Sequence, residues 1–310
     1  MQISKIDPEI RALIIKKFVI RVIWTLIRTV ILTGLAFIII YPILYMISIA
    51  FRPVAEMFDP AVVWIPKSFT VDNMKMAIEK MNLFNPALES NSLMNTFLLD
   101  VVSAVLQVIF ASTVGYGFAR YDFKGNKILF AMVILTMIVP INSIIIPTYI
   151  NYSALGIVDR LASFYIPAIF GMGIRAGFSI YIFRQFFKGM PKELEDAAAI
   201  DGCGFIRTFI QIFVPNAKSA YLTVFLFSIV WYWNDFYYSY MFFPKKQTVS
   251  IALSNLRSVL NQSLDVTRDP YVILTIMQAG CLLSVIPLLL FYLVLQRQFT
   301  ESIERTGIVG

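Results

Sequence analysis

The chain has 310 residues, of which 58% are hydrophobic and only 15% are charged, and its mean hydropathy is +0.74. A soluble domain of this size carries roughly 25% charged residues, so the composition excludes a soluble globular protein. The net charge of +7 does not indicate a nucleic-acid partner, because the basic residues flank long apolar segments. We therefore expect an all-α integral membrane protein surrounded by membrane lipid, with no nucleic acid bound.

The apolar segments predict six transmembrane helices, because a spanning helix needs about 20 mostly apolar residues. The predicted spans cover residues 29–51, 101–119, 128–158, 161–183, 219–234 and 271–296. The fourth is joined across Arg175, and the fifth is expected to continue past Asp235 into the aromatic run 236–240. Together they define one six-helix transmembrane domain over residues 29–310, which follows a cytoplasmic N-terminal segment, residues 1–28.

The distribution of Lys and Arg predicts that both termini are cytoplasmic. In that orientation the inner segments carry sixteen basic and nine acidic residues, whereas the outer loops carry nine and ten. Segment 1–28 is either an interfacial helix on the inner surface or a simple topology anchor. The first apolar run is too long for a cleaved signal peptide, so we expect it to be a signal anchor.

Two outer loops are predicted, residues 52–100 and 244–270. The first contains a short capped helix at 70–81, and the second contains a helix at 249–260. Within the third span, Pro140 and Pro147 predict kinks, because proline cannot donate a helical hydrogen bond.

Several kinds of chemistry are missing from the sequence. It contains no histidine, and Cys203 and Cys281 lie in different segments, so neither a catalytic base of that kind nor a cysteine metal site is expected. Asp100 and Asp235 are placed at the outer edges of spans, which leaves no buried carboxylate chain to carry protons. There is also no phosphate-binding GxxxxGK[ST] loop. If the protein transports a solute, its energy must come from another subunit.

Arg175 is the one charged residue inside a predicted span. A charge at that depth costs a few kcal/mol unless it is paired or faces water. Two interpretations remain open at this point. Arg175 either snorkels or pairs with another helix, or it belongs to a translocation path.

Aromatic residues are concentrated in the run WYWNDFYYSY, residues 231–240. The faces of Trp231 and Trp233 are suited to stacking on sugar rings, and Asn234 and Asp235 are suited to binding hydroxyls. These residues are candidates for substrate contact. The alternative is the aromatic belt that many membrane proteins carry at the interface.

A polar hairpin interrupts the apolar pattern between residues 189 and 215, GMPKELEDAAAIDGCGFIRTFIQIFVP. Its acidic residues lie in the first turns of a predicted helix, where carboxylates favour the positive end of the helix dipole. Gly202 ends that helix, and a second short helix is expected to run until Pro215. The small side chains of Ala197 and Ala198 favour close approach of a docking partner.

The same hairpin resembles the EAA signature of binding-protein-dependent ABC importer permeases, E-A-A-x3-G-x9-I-x-L-P. Asp196 replaces the glutamate and Val214 replaces the leucine, and the spacing is otherwise kept. Other segments look like the carbohydrate-importer permeases with six spans, similar to the second maltose permease. They are YPILYMISIAFRP (41–53), NSLMNTF (91–97), GYGFARYDFKG (115–125), FRQFFKGMPKELEDAAAIDG (183–202), WNDF (233–236) and, less tightly, FTESIERTGIVG (299–310).

The resemblance implies the type I ABC importer permease fold with cytoplasmic coupling helices, in the bacterial cytoplasmic membrane. It also implies a heterodimer with a second permease, a pair of cytoplasmic ABC ATPases and an extracytoplasmic solute-binding protein. ATP and Mg would bind to the ATPase, and this chain would be a non-enzymatic transport subunit without a cofactor. The residues that would couple to the ATPase are Glu193, Glu195, Asp196, Ala197, Ala198, Gly202, Ile212 and Pro215.

The resemblance further implies that the C-terminal tail reaches the ATPases and that loop 244–270 approaches the binding protein. The expected cargo is a sugar or oligosaccharide. The alternative is a permease of the same architecture for a peptide, a polyol or a modified glycan. An unrelated secondary transporter or membrane enzyme would leave the polar hairpin unexplained.

Overall fold

The computed structural model describes residues 8–59, 64–87, 90–263 and 270–307. These residues form helices and connecting turns, and no strand occurs among them. The α-helices are α1 (Pro8–Ala50), α2 (Asp72–Lys80), α3 (Ser92–Arg120), α4 (Asn126–Ile138), α5 (Ile141–Ala154), α6 (Ala162–Ile169), α7 (Ala176–Gly189), α8 (Glu193–Ile200), α9 (Phe205–Thr208), α10 (Val214–Asn216), α11 (Lys218–Trp233), α12 (Tyr237–Phe242), α13 (Val249–Ser263) and α14 (Pro270–Gly307).

Three of the described helices, α1, α3 and α14, are each long and apolar enough to cross a membrane. Helix α1 is continuous across residue 28, so no break separates the N-terminal segment from the first span. Residues 1–7 of that segment and residues 308–310 of the tail lie outside the described residues. Helix α14 includes the whole of the predicted sixth span.

The third predicted span is not one continuous helix. Helices α4 and α5 are bent by 105° relative to each other, and Pro140 lies at the break. Because the residue before a proline is disfavoured in the helical region, Val139 takes an extended conformation at the end of α4. The prediction of a kink is confirmed at Pro140, whereas α5 continues through Pro147.

The fourth and fifth predicted spans also need correction. Helices α6 and α7 replace the single span 161–183, and the backbone between Ile169 and Ala176 leaves the helical pattern. Helix α11 ends at Trp233 and a separate α12 follows, so the expected continuation past Asp235 is wrong. Two pairs of helical segments are bent at a short break: α4 with α5, and the segment from α9 to α10 with α11. If each pair is counted as one span, the described residues give up to five candidate spans.

Helix α3 begins at Ser92, well before the predicted start of the second span. Asp100 therefore lies within α3 and is buried inside the fold at 1% exposure, and its place at the outer edge of a span stays a prediction. No hydrogen-bond partner of its carboxylate occurs among the described residues. The predicted second span begins later than α3, because residues 92–100 are more polar than the apolar segment that follows them.

The two helices predicted in the outer loops are confirmed as α2 and α13. They pack on α14 through an apolar cluster that includes Ala77, Met81 and Leu256. A side chain at Gly280 of α14 would approach Leu256 to 2.8 Å, so the glycine permits this close contact. Residues 60–63, 88–89 and 264–269 of these loops lie outside the described residues.

Helices α3, α7 and α11 form the central packing unit beside the polar hairpin. Gly115 lets α3 and α7 approach closely, because a Cβ there would lie 2.7 Å from the Cβ of Phe183. The aromatic side chains of Phe183, Phe187 and Phe213 are fully buried in this cluster. The cluster is the rigid base on which the hairpin rests.

Candidate functional site

The polar hairpin (residues 189–216) consists of α8, a tight turn and a second helical segment. Glu193, Glu195 and Asp196 occupy the first turn of α8, as their charge favours. Gly202 takes a left-handed conformation with φ of +70°, and the amide of Cys203 then bonds to the carbonyl of Ala198 at 2.9 Å. This geometry is a helix end closed by glycine, as the sequence predicted.

The second segment of the hairpin is α9, a π-helical turn at Phe209–Phe213 and α10. It ends at Asn216, one residue beyond the predicted Pro215, and α11 then departs at 80°. Since Pro215 has no N–H, the regular bonding pattern is interrupted here. The side chain of Asn216 donates to the carbonyl of Ile212 at 2.7 Å.

The two faces of α8 have different surroundings. Glu193, Asp196 and Ala197 are exposed, whereas Ala198 is buried against the rest of the chain. Ala198 shares this inward face with Leu194, because positions four residues apart lie on one helix face, and its expected role in seating a partner stays a prediction. A partner would meet the exposed face.

Ile200 is the residue on this exposed face that the sequence reasoning missed. Its side chain is 86% exposed at the end of α8, beside the carboxylates of the first turns. An isoleucine so fully exposed on a short polar helix suits a contact that buries it, since its burial is worth about 1.5–3 kcal/mol. The sequence signal for this exposure was the position of Ile200 at the turn, directly before Asp201.

Arg120 fixes the hairpin to α3. Its Nε lies 3.5 Å from the Oε1 of Glu195, and its Nη2 donates to the carbonyl of Met190 at 2.7 Å. The guanidinium also lies 4.8 Å from the ring centre of Phe213. Glu195 therefore pairs within the chain, and its expected pairing with a partner stays a prediction. The GYGFAR motif ends on Arg120 and was the available signal.

A buried tyrosine lies directly beneath the hairpin. Tyr116 of α3 is fully buried, and its ring centre lies 4.8 Å from that of Phe209 and 4.9 Å from that of Phe213. Its contact with Phe187 of α7 is edge-on at 5.6 Å. These rings therefore join the hairpin to α3 and α7 in one packed aromatic cluster.

The five candidates for substrate contact fall into two groups. Arg175 and Trp231 come together, with the guanidinium 5.1 Å from the ring centre, and Arg175 is exposed. Trp233 is buried and donates its indole N–H to the carbonyl of Ser284 at 3.0 Å, so it packs α11 on α14. Asp235 accepts from the amide of Ser239 at 2.8 Å and caps α12.

Asn234 follows Trp233 directly and is exposed at the end of α11. Its side chain donates to the carbonyl of Val230 at 2.8 Å, which completes the last turn of the helix. A capping role accounts for Asn234 and Asp235 without a substrate. The structure thus reduces the set that shares one accessible surface to Arg175 and Trp231.

A buried polar network supports the break between α6 and α7. The amide nitrogen of Gln107 donates to the carbonyl of Ile174 at 3.0 Å, and its oxygen accepts from the hydroxyl of Tyr232 at 2.9 Å. The same nitrogen lies within hydrogen-bond distance of the hydroxyls of Ser179 and Ser228. The amide of Ile174 also donates to the hydroxyl of Tyr232 at 3.3 Å, so this network satisfies both backbone polar groups of Ile174 at the break.

Three long apolar helices, two bent helix pairs and a polar hairpin among the described residues are typical of a multi-pass membrane protein. The chain belongs to the binding-protein-dependent transport system inner membrane component family, whose pattern matches residues 107–305. The matched region contains α7, the hairpin and α11. The protein is accordingly a multi-pass protein of the cytoplasmic membrane.

Two curated relatives and one solved structure extend over most of the chain. The arabinooligosaccharides transport system permease protein AraQ of Halalkalibacterium halodurans is 27% identical over 89% of this chain and 93% of its own. The melibiose/raffinose/stachyose import permease protein MelC of Bacillus subtilis is 28% identical over 80% of this chain and 84% of its own.

The solved structure is a crystal structure of a bacterial ABC transporter involved in the import of the acidic polysaccharide alginate. One of its chains matches with a TM-score of 0.71 and 22% identity, over 89% of this chain and 96% of that one. The similarity shows that the fold of an ABC importer permease is shared. The relatives by sequence are transport permeases by name.

Proposed function

We propose that the chain is one of two permease subunits of an ATP-driven importer for a sugar or oligosaccharide. It would form half of the translocation pathway and take its energy from a pair of cytoplasmic ATPases that bind ATP and Mg. The names of the relatives, which include arabinooligosaccharide and raffinose-type import, support a saccharide over a peptide or polyol.

The observation that carries the proposal is the geometry of α8. Its outward face presents Glu193, Asp196, Ala197 and the exposed Ile200, while Arg120 and Glu195 hold its inner face on α3. A surface that transmits force must be accessible on one side and rigidly attached on the other. Ile200 would fill an apolar pocket of the ATPase, and the carboxylates would meet its basic groups.

The orientation in the membrane follows from the distribution of charge. The hairpin lies in a segment rich in Lys and Arg, which favours the cytoplasmic side, and both termini would share that side. Helices α2 and α13 would then face outward, where a solute-binding protein can deliver its cargo. Six spans result if the segments α4–α5 and α6–α7 each cross the membrane once.

Reconstitution of the complete complex in proteoliposomes tests the coupling. The assembly would contain this chain, its partner permease, the ATPase pair and the binding protein, and the readouts are ATP-driven uptake of labelled oligosaccharide and co-purification of the ATPase. We expect Ala197→Arg to abolish both, because a long cation replaces a small side chain on the exposed face of α8.

The matched control is Ala154→Arg, which introduces an arginine at another exposed alanine, at the end of α5. It should leave ATPase co-purification unchanged. Retention of the ATPase and of coupled uptake by Ala197→Arg would overturn the assignment of α8. Uptake of peptides or polyols with no uptake of any oligosaccharide would overturn the assignment of the cargo.

A further inference from the structure

A cation and three aromatic rings form one accessible surface at the ends of α7 and α11. The guanidinium of Arg175 lies over Trp231, whose ring is stacked on Phe227 with centres 5.5 Å apart. Phe178 closes the group with an edge-on contact to Trp231 at 5.4 Å. Arg175 and Phe227 are exposed, so a ligand can reach both the charge and the aromatic wall.

This surface lies at membrane depth. Arg175 precedes α7, and Trp231 lies near the far end of α11 from Lys218. At about 1.5 Å per residue, both lie roughly 20 Å from the hairpin end of their helices. The hydrocarbon core is about 30 Å thick, so the pair is well inside it.

The irregular backbone beside the pair favours a surface covered by protein or water over one that faces lipid. Residues 170–175 are not helical, and the side chains of Phe170 and Met172 are exposed there. Irregular backbone at membrane depth is tolerated only where it is covered by protein or lines a water-filled cavity. The break at Pro140 lies near the same level, because a Cβ added to Gly177 of α7 would lie 2.9 Å from the carbonyl oxygen of Val133, close to the end of α4. Interrupted helices are where transporters commonly hold their cargo.

The charge at this surface is uncompensated within the part of the chain that the structure describes, where no carboxylate lies within 4 Å of Arg175. Its backbone also takes a left-handed conformation, with φ of +53°, which is unusual for a residue with a side chain. An arginine in a low-dielectric site favours an anion, and its planar guanidinium matches a carboxylate with two hydrogen bonds. The exposed ring of Phe227, which is stacked on Trp231, offers an apolar surface against which a sugar ring can pack.

We propose that Arg175 and Trp231 form a specificity site for a carboxylate-bearing sugar unit, a uronate, in the translocation pathway. The inference rests on the proposed function as a saccharide importer and narrows its substrate class. Arg175 binds the carboxylate, Trp231 holds the guanidinium in place, and the exposed ring of Phe227 packs against the pyranose ring. A neutral sugar packs on the aromatic ring but has no carboxylate to bind the guanidinium of Arg175.

The test compares two labelled probes in proteoliposomes that contain the complete complex, a trigalacturonate and the neutral raffinose. We expect Arg175→Gln to raise the KM for trigalacturonate uptake about 10- to 100-fold, because a charge-assisted interaction is lost. Arg175→Lys should recover part of the loss, since the charge remains but the paired hydrogen bonds do not. Raffinose uptake should change less than about twofold. Arg160→Gln, an exposed arginine outside the site, is the matched control for both probes.

Each other outcome overturns the inference. If the native complex imports raffinose but not trigalacturonate, saccharide import stands and the uronate site is wrong. Equal loss of both probes in Arg175→Gln, or loss of co-purification of the two permeases, would mean that Arg175 pairs with the partner subunit instead. Unchanged trigalacturonate uptake in Arg175→Gln also contradicts the site. Import of neither saccharide by the native complex also contradicts the uronate site, whereas the proposed function itself fails only if no oligosaccharide of any kind is taken up.

Discussion

Arg120 at the end of α3 and Glu195 in α8 form an ion pair, with Nε and Oε1 3.5 Å apart, that joins a membrane helix to the polar hairpin. The same guanidinium holds the carbonyl of Met190, so both ends of the loop that leads into α8 are fixed at one side chain. The pair accounts for how a surface helix is mechanically connected to the transmembrane core.

Arg120→Gln should loosen the hairpin. Loss of hydrogen bonds and ion pairing by a largely buried charge weakens the attachment by about 1.5–3 kcal/mol. Hydrogen exchange of the amides in α8 should accelerate, and ATP-driven uptake should fall while the protein stays in the membrane. Arg207→Gln, which removes a cation on the exposed part of the same hairpin, should change neither. Equal exchange rates in the two variants would contradict the role of the pair.

Gly202→Ala tests the turn of the hairpin. The left-handed conformation at φ +70° costs a residue with a Cβ about 1–2 kcal/mol, although no atom lies within 4 Å of the added carbon. We expect faster exchange at residues 198–204 and weaker coupling of ATP hydrolysis to uptake. Gly204, with φ of −74° and equally open surroundings, is the matched control, and Gly204→Ala should be close to neutral.

Gly173→Ala tests the polar network at the break before α7. The new methyl group would lie 2.5 Å from both the Oε1 of Gln107 and the hydroxyl of Tyr232. Overpacking of this kind costs about 1–3 kcal/mol, so the thermal midpoint in detergent should fall. Gly117→Ala in α3 meets no atom within 4 Å and should keep or raise the midpoint. A midpoint for Gly173→Ala equal to the native value would show that the network is not tightly packed.

Acid should release the segment between α1 and α2. The hydroxyl of Ser68, and the amides of Lys67 and Ser68 at 2.9 Å each, bond to Glu56 and lower the pKa of its carboxyl. A lowered folded-state pKa gives stability that is complete above the ordinary glutamate pKa of about 4.3 and is lost as pH falls through the folded value. Exchange of the Lys67 and Ser68 amides should therefore become abnormally fast only below about pH 4. Glu56→Gln should remove this pH dependence.

Local signals in the sequence were enough for some elements and not for others. The helices α2 and α13 and the closing glycine Gly202 follow from neighbouring residues, so they were predicted correctly. The breaks near Ile174 and Asp235 were not, because each is maintained by a distant or buried partner. Gln107 of α3 bonds to the carbonyl of Ile174, which no local pattern reveals.

The candidate site also combines features that the local sequence predicts with features that depend on distant residues. The exposed side of α8 follows from helical periodicity once the helix is known, whereas the pairing of Glu195 with Arg120 depends on how the hairpin packs against α3. The pairing of Arg175 with Trp231 required the crossing of α7 and α11. Helical periodicity identifies which residues share a helix face, whereas the tertiary structure determines which face is exposed.

The most direct measurement of the central claim is a site-specific photocrosslink from the end of α8 in the complete complex. A photoreactive amino acid in place of Ile200, which is 86% exposed, should crosslink to the ATPase subunit. The same amino acid in place of Leu155, which is 70% exposed beyond α5, should not. A crosslink from position 155 and none from position 200 would contradict the assignment of α8 as the surface where the energy of ATP enters this chain.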